Sequence, residues 1–95
     1  MEHIRYSVAT CQTDMPNPID RKSMRANTDR MLSMIDSAVA GAAPFLPVRL
    51  VIFPEFAHAA PVFETAAELL ERLAVKIPNE HTKRLEEKAR ELDIY

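Results

Sequence analysis

The chain has 95 residues, a net charge of −2, 47% hydrophobic and 27% charged residues, a globular balance that excludes a disordered tail and a basic nucleic-acid or membrane surface. A single cysteine excludes an internal disulfide and CxxC metal pairs, and a single glycine excludes both GxGxxG and the Walker loop. No apolar signal core follows Met1-Glu2-His3-Ile4-Arg5 and no apolar run is long enough to span a bilayer. The expectation is therefore a soluble, cytoplasmic chain with a modest core and no membrane or nucleic-acid partner.

Residues 4–12 read as a strand. Ile4, Tyr6, Val8 and Thr10 lie on one face and Arg5, Ser7, Ala9 and Cys11 on the other, a pattern suited to a strand covered on both sides. Thr13 to Pro18 is a loop, since Pro16 and Pro18 disfavour helix in the residues before them. From about Asp20 to Ala42 the period becomes helical. Met24, Thr28, Met31, Ile35, Ala38 and Ala42 recur at spacings of 4, 3, 4, 3 and 4, flanked by Leu32 and Val39. Asp20 is the expected N-cap, and Gly41 the expected stop ahead of Pro44.

Leu50-Val-Ile-Phe53 is a continuous apolar, partly β-branched run closed by Pro54, which predicts a fully buried strand. Phe56 to Pro61 is loop-like. Thr65-Ala-Ala-Glu68 fits a capping box and opens a short helix through Ala74 with Leu69, Leu70 and Leu73 as its apolar residues. Pro78-Asn79 starts a third helix to about Leu92, with Thr82, Leu85, Ala89 and Leu92 inward and Glu80/Arg84 and Glu86/Arg90 as i,i+4 pairs on the wet side. Ile94-Tyr95 reads as a strand that has just begun. The order is β-α-β-α-α-β, which implies a largely parallel sheet with packed helices. Two complete strands are too few for such a sheet to stand alone, so the expectation is an N-terminal segment cut at the third strand.

Glu55 is the most informative residue. It follows a buried strand at its carboxyl end, where open α/β sheets place ligands and catalytic groups. Held beside Phe53, Pro54 and Phe56, its carboxylate is expected to be partly desolvated, a condition that suits general-base work. The alternative from position alone is a solvated glutamate at a strand end.

Four ordered segments resemble the nitrilase, or carbon–nitrogen hydrolase, superfamily. Val8-Ala-Thr-Cys-Gln12 looks like its first strand, V-A-x-x-Q. Asn27 with Ile35, Ala38, Gly41 and Ala42 resembles its first helix. Leu50-Val-Ile-Phe-Pro-Glu55 is similar to L-V-V-F-P-E, and Leu85 to Tyr95 is similar to the segment ending A-x-x-x-G-I-Y. The resemblance covers nearly the whole chain. It implies residues 1–95 as a partial domain, the N-terminal part of an α-β-β-α sandwich that assembles into homo-oligomers. It also implies a cofactor-free hydrolase of small amides, carbamoyl compounds or nitriles. Glu55 would be general base to a thiol, with a lysine stabilising the tetrahedral intermediate.

The lysine and cysteine motifs of that family have no counterpart here. Lys22, Lys83 and Lys88 are expected on wet helix faces and Lys76 precedes Ile77-Pro78. Cys11 lies on the first strand and reads as a small packed hydrophobe. The 95-residue chain alone is therefore expected to be inactive. Asp93 stands where the family has a glycine, which predicts a small helix-end penalty, and the Ala43–Arg49 connector is longer than usual.

The remaining candidates each have two readings. His58 either lines a pocket mouth or is an exposed loop histidine. Arg21, Lys22 and Arg25 oppose the macrodipole at a helix start, which suits either an anionic contact or a solvated face. Met24, Met31 and Met34 are at core spacing. His3 and His81 have no partner at ligand spacing, so no metal is expected. A non-catalytic α/β interaction module is the competing function, and a nucleotide-binding fragment ranks below both.

Overall fold

The structure, a computed structural model, describes residues 3–60 and 62–95; the readings made on Met1, Glu2 and Pro61 lie outside them. The elements are β1 (Ser7–Thr10), α1 (Met24–Ala42), β2 (Val48–Ile52), α2 (Ala66–Arg72) and α3 (Glu80–Leu92). Among the described residues the architecture is mixed α/β, three helices with a two-stranded parallel sheet. No helix among them is long and apolar enough to cross a membrane.

β1 is shorter than the predicted 4–12 because only its middle finds a partner. Val8, Ala9 and Thr10 register against Leu50, Val51 and Ile52, with an irregularity between Ser7 and Val8. The Cys11 amide extends the ladder to the Ile52 carbonyl at 2.8 Å. β2 starts two residues earlier than predicted, and Phe53 falls outside it. On its other edge the Tyr95 amide donates to the Arg49 carbonyl and the Val51 amide donates to the Tyr95 carbonyl, both at 2.8 Å. That alternation is the parallel pattern, so Tyr95 takes the next strand position beside β2.

The predicted stripe of α1 is buried at Met24, Thr28, Met31 and Ile35, joined by Asn27. The helix opens at Met24, four residues after the expected cap. The Asp20 carboxylate closes a turn instead, accepting from the Ser23 amide at 2.8 Å and its hydroxyl at 2.9 Å, and these bonds hold the carboxyl below its ordinary value. Gly41 does not stop the helix. It lies inside α1 without a left-handed backbone, Ala43 stays helical, and the turn before Pro47 ends the run.

At α2, Thr65 accepts from the Glu68 amide as predicted, but the helix ends at Arg72 rather than Ala74, and of the leucines expected to be its apolar residues only Leu73, here the C-cap, is buried. α3 opens on a full capping box: Asn79 accepts from the His81 and Thr82 amides while the Thr82 hydroxyl accepts from the Asn79 amide. It closes on Asp93 at φ 53° and ψ 55°, with the Ile94 amide reaching back to the Ala89 carbonyl and the Ile94 side chain buried. The expected glycine position is thus left-handed here and occupied by aspartate.

α1 packs on β2 and on α3. Three ion pairs join the two helices in the same sequence direction: Arg25–Glu80 at 3.0 Å, Asp29–Arg84, and Asp36–Lys88 at 3.0 Å. The expected Glu80/Arg84 pair within α3 is therefore replaced, because each side chain meets an opposite charge on α1 first; Glu86–Arg90 forms as predicted. Lys88 is not on a wet face either. Its side chain is 17% exposed, and hydrogen bonds to Asp36 and Glu91 hold its ammonium above the ordinary value.

The helices cover one face of the sheet. Tyr6, Val8 and Ile52 are about half exposed on the strands, which corrects the expectation that both strands are covered on both sides. A single layer of helices buries only one face of a pleated sheet. The radius of gyration, 15.5 Å, exceeds the roughly 12 Å of a compact chain of this length, and the chain is elongated, 52 Å along its long axis against 25 and 24 Å.

Candidate functional site

Glu55 follows β2 within a turn closed by the Ala57 amide on the Pro54 carbonyl at 3.1 Å. Its position at the carboxyl end of a parallel strand is as read from the sequence. Its environment is not: Glu55 is exposed, as is neighbouring Phe56, and only Phe53 is half-buried. The expected desolvation requires chain packed over this edge of the sheet, and none of the described residues supplies it.

The polar centre beneath this edge lies one helix face away. The Asn27 amide, buried in α1, donates to the Pro16 carbonyl at 3.0 Å and to the His58 carbonyl at 2.9 Å. One side chain thereby ties down both loops that leave the carboxyl ends of β1 and β2. Next to it, the Thr28 hydroxyl sits 2.7 Å from His58 Nε2 and 2.7 Å from His81 Nδ1, with the Met24 carbonyl at 3.3 Å. The two imidazoles meet edge to face, centroids 4.4 Å apart. No buried side-chain nitrogen or oxygen among the described residues lacks a partner.

His58 is accordingly neither an open pocket wall nor an exposed loop residue. It is half-buried, and burial followed by the neighbouring His81 charge pushes its pKa below the ordinary 6.5. His81, read as having no partner at ligand spacing, is 4% exposed and meets His58 through a threonine 53 residues away. The sequence signal for this centre is the adjacent pair Asn27-Thr28 on the buried stripe of an amphipathic helix: polar groups there need partners from other segments.

The basic cluster at the start of α1 is spoken for within the chain. Arg21 donates to the carbonyls of Leu70, Glu71 and Ala74 at 2.7, 2.5 and 2.9 Å, capping the carboxyl end of α2. Arg25 meets Glu80 in the first turn of α3, where a carboxylate also suits the macrodipole. Lys22, Lys76 and Lys83 are exposed, and Cys11, a free thiol just after β1, is half-buried rather than fully packed as expected. No three His, Cys, Asp or Glu residues gather as a metal-binding group among the described residues.

Two apolar grooves flank the sheet edge. One of about 530 Å³ lies at the amino ends of the strands between Ile4, Tyr6, Pro47, Leu50 and Tyr95. The other, about 440 Å³, runs between Met31, Ile35, Phe53, Leu85, Ala89 and Tyr95. Neither includes Glu55 or His58. No family model, curated protein or solved structure matches this chain.

Proposed function

We propose that the chain is the N-terminal part of a carbon–nitrogen hydrolase with the α-β-β-α sandwich, acting as a homo-oligomer on a small amide, carbamoyl or nitrile substrate without a cofactor. The observation that carries the reading is the position of Leu50-Val-Ile-Phe-Pro-Glu55: the run forms a parallel strand and delivers Glu55 to its carboxyl end, where such sheets concentrate chemistry. Tyr95 at the next parallel position and the left-handed Asp93 before it support the same reading.

In this reading Glu55 takes the proton of a cysteine thiol supplied by further chain. The thiolate forms a bond to the carbonyl or nitrile carbon, and a lysine holds the negative charge that develops on the oxygen or nitrogen. An amide substrate takes the proton held by Glu55 and expels its amine to leave a thioester, whereas a nitrile gives a thioimidate, which one water converts to the thioester with release of ammonia; a further water releases the acid and regenerates the thiol. The open sheet face and the two apolar grooves are the surfaces on which the remaining layers of the sandwich would pack.

The test has two arms. Assayed with primary amides, N-carbamoyl amino acids and nitriles, the 95-residue chain is expected to give no turnover; thiol-dependent turnover lost in Cys11→Ser would overturn the reading. The gene is expected to continue beyond the Tyr95 codon into a lysine motif and then a cysteine motif. In that longer protein Glu55→Gln should reduce kcat by at least 10³-fold with the fold retained. Near-normal kcat in that variant removes Glu55 from the mechanism.

A further inference from the structure

The Thr28 hydroxyl has one proton to give and two lone pairs. It can donate to one ring or to the Met24 carbonyl, so at least one of His58 Nε2 and His81 Nδ1 presents its own N–H to the oxygen. With neutral rings this arrangement closes without conflict. A proton added to either ring makes both of its nitrogens donors. When both rings are charged, two cations share one oxygen with their centroids 4.4 Å apart.

The surroundings offer little to offset that charge. From α3, Glu80 lies 3.6 Å from His81 Nε2, but it also holds Arg25 of α1 at 3.0 Å. The Arg25 bond keeps the Glu80 carboxyl below its ordinary value, so it stays ionised as the pH falls, with its charge already matched. Arg84 of α3 and Asp29 of α1 form their own pair. From the segment after β2, Glu55 is exposed and makes no hydrogen bond to either ring. Among the described residues no acid hydrogen-bonded or ion-paired to either ring is left over to balance a second imidazolium.

We propose that His58, Thr28 and His81 form a proton-operated latch that fastens the Pro54–Ala60 segment, which carries Glu55, to α1 and α3 when the rings are neutral and loosens it in acid. The latch is a property of this chain and does not depend on Glu55 being catalytic. Its sign follows from the charge. Native His58 binds a proton less readily than in the unfolded chain, whose value is the ordinary 6.5. The hold is therefore complete above pH 6.5 and is progressively lost as the pH falls below it. The Asn27 clasp on the His58 carbonyl contains no titrating group, so loosening concerns the ring side of the segment first.

Hydrogen exchange and histidine ring NMR on the 95-residue chain test this between pH 8 and 5. The Ala57 amide, bonded to the Pro54 carbonyl, reports the segment. After correction for intrinsic exchange it should lose at least tenfold protection between pH 7.5 and 5.5, while Ile35 in α1 changes less than twofold. The His58 ring should titrate at lower pH in the native chain than in urea. His58→Gln, which keeps a hydrogen-bonding group at the site without a titrating charge, should flatten the pH response of Ala57. Ala57 protection that is constant with pH in the unaltered chain, or an unchanged response in His58→Gln, would overturn the latch. Titration of the His58 ring at the same pH in the native chain and in urea would do the same.

Discussion

Two parts of this chain treat burial in opposite ways. At the junction of α1, α3 and the loop after β2, the buried polar side chains each find a partner, Asn27 two carbonyls and Thr28 two imidazoles, and at its exposed rim Arg25, Asp29 and Asp36 meet their opposites on α3. On the outer face of the sheet, Tyr6, Val8 and Ile52 are apolar and about half exposed, with no described segment against them. A buried polar group without a partner costs about 1–3 kcal/mol, whereas an apolar side chain left wet only forgoes a gain. An incomplete junction therefore costs stability directly. The sheet face can remain open until another layer or another molecule reaches it.

The sharpest way to break this contrast is Asn27→Leu. It leaves the Pro16 and His58 carbonyls without their donor and should cost about 3 kcal/mol, read as a lowered denaturation midpoint in urea. A loss under about 1 kcal/mol would mean that the junction is less constrained than its bonds imply. Arg21→Ala should cost about 1 kcal/mol and act locally, since it frees three carbonyls at the end of α2. Amide exchange should rise across 66–74 and stay unchanged in α3. At the far end of α3, Asp93→Gly should stabilise by about 0.5–1 kcal/mol by relieving the left-handed backbone, visible as a raised Tm.

Substitutions on the open face should move stability least. Val8→Thr and Ile52→Thr are expected to change unfolding free energy by less than about 0.5 kcal/mol, while reducing concentration-dependent association in sedimentation velocity. A large stability loss would show that this face is covered in the folded chain. Salt separates the regions in another way. The ion pairs between α1 and α3 are partly exposed and should weaken between low and high ionic strength, whereas the Asn27 and Thr28 contacts carry no net charge and should hold.

The local rules of the chain were readable without a fold. The stripe at Met24, Thr28, Met31 and Ile35 followed from a period of 3.6, a strand at 50–53, found at 48–52, from an apolar run shut off by Pro54, and the start of α3 from Asn79. The misreadings share a cause. Asp20 as N-cap, Gly41 as stop and Glu80/Arg84 as a pair were each judged from neighbours in sequence, while the structure gave those positions other partners or no need of one. The position of Glu55 after its strand was legible, but its exposure depends on what packs over the sheet edge.

Sequence alone determined the approximate positions of the helices and strands, which face of α1 is buried, and that a carboxylate follows the second strand. Those properties depend on backbone geometry and on side-chain periods that repeat every two or three to four residues. On α3 the predicted stripe at Thr82, Leu85, Ala89 and Leu92 is only half-buried, and the buried residue is His81. Only the tertiary structure decided that His58 and His81 share the hydroxyl of Thr28, that Arg21 caps a helix some 50 residues away, and that one sheet face stays bare. Such contacts join residues far apart in the chain, so they exist only once the helices have docked on the sheet and the direction of each buried polar group is set.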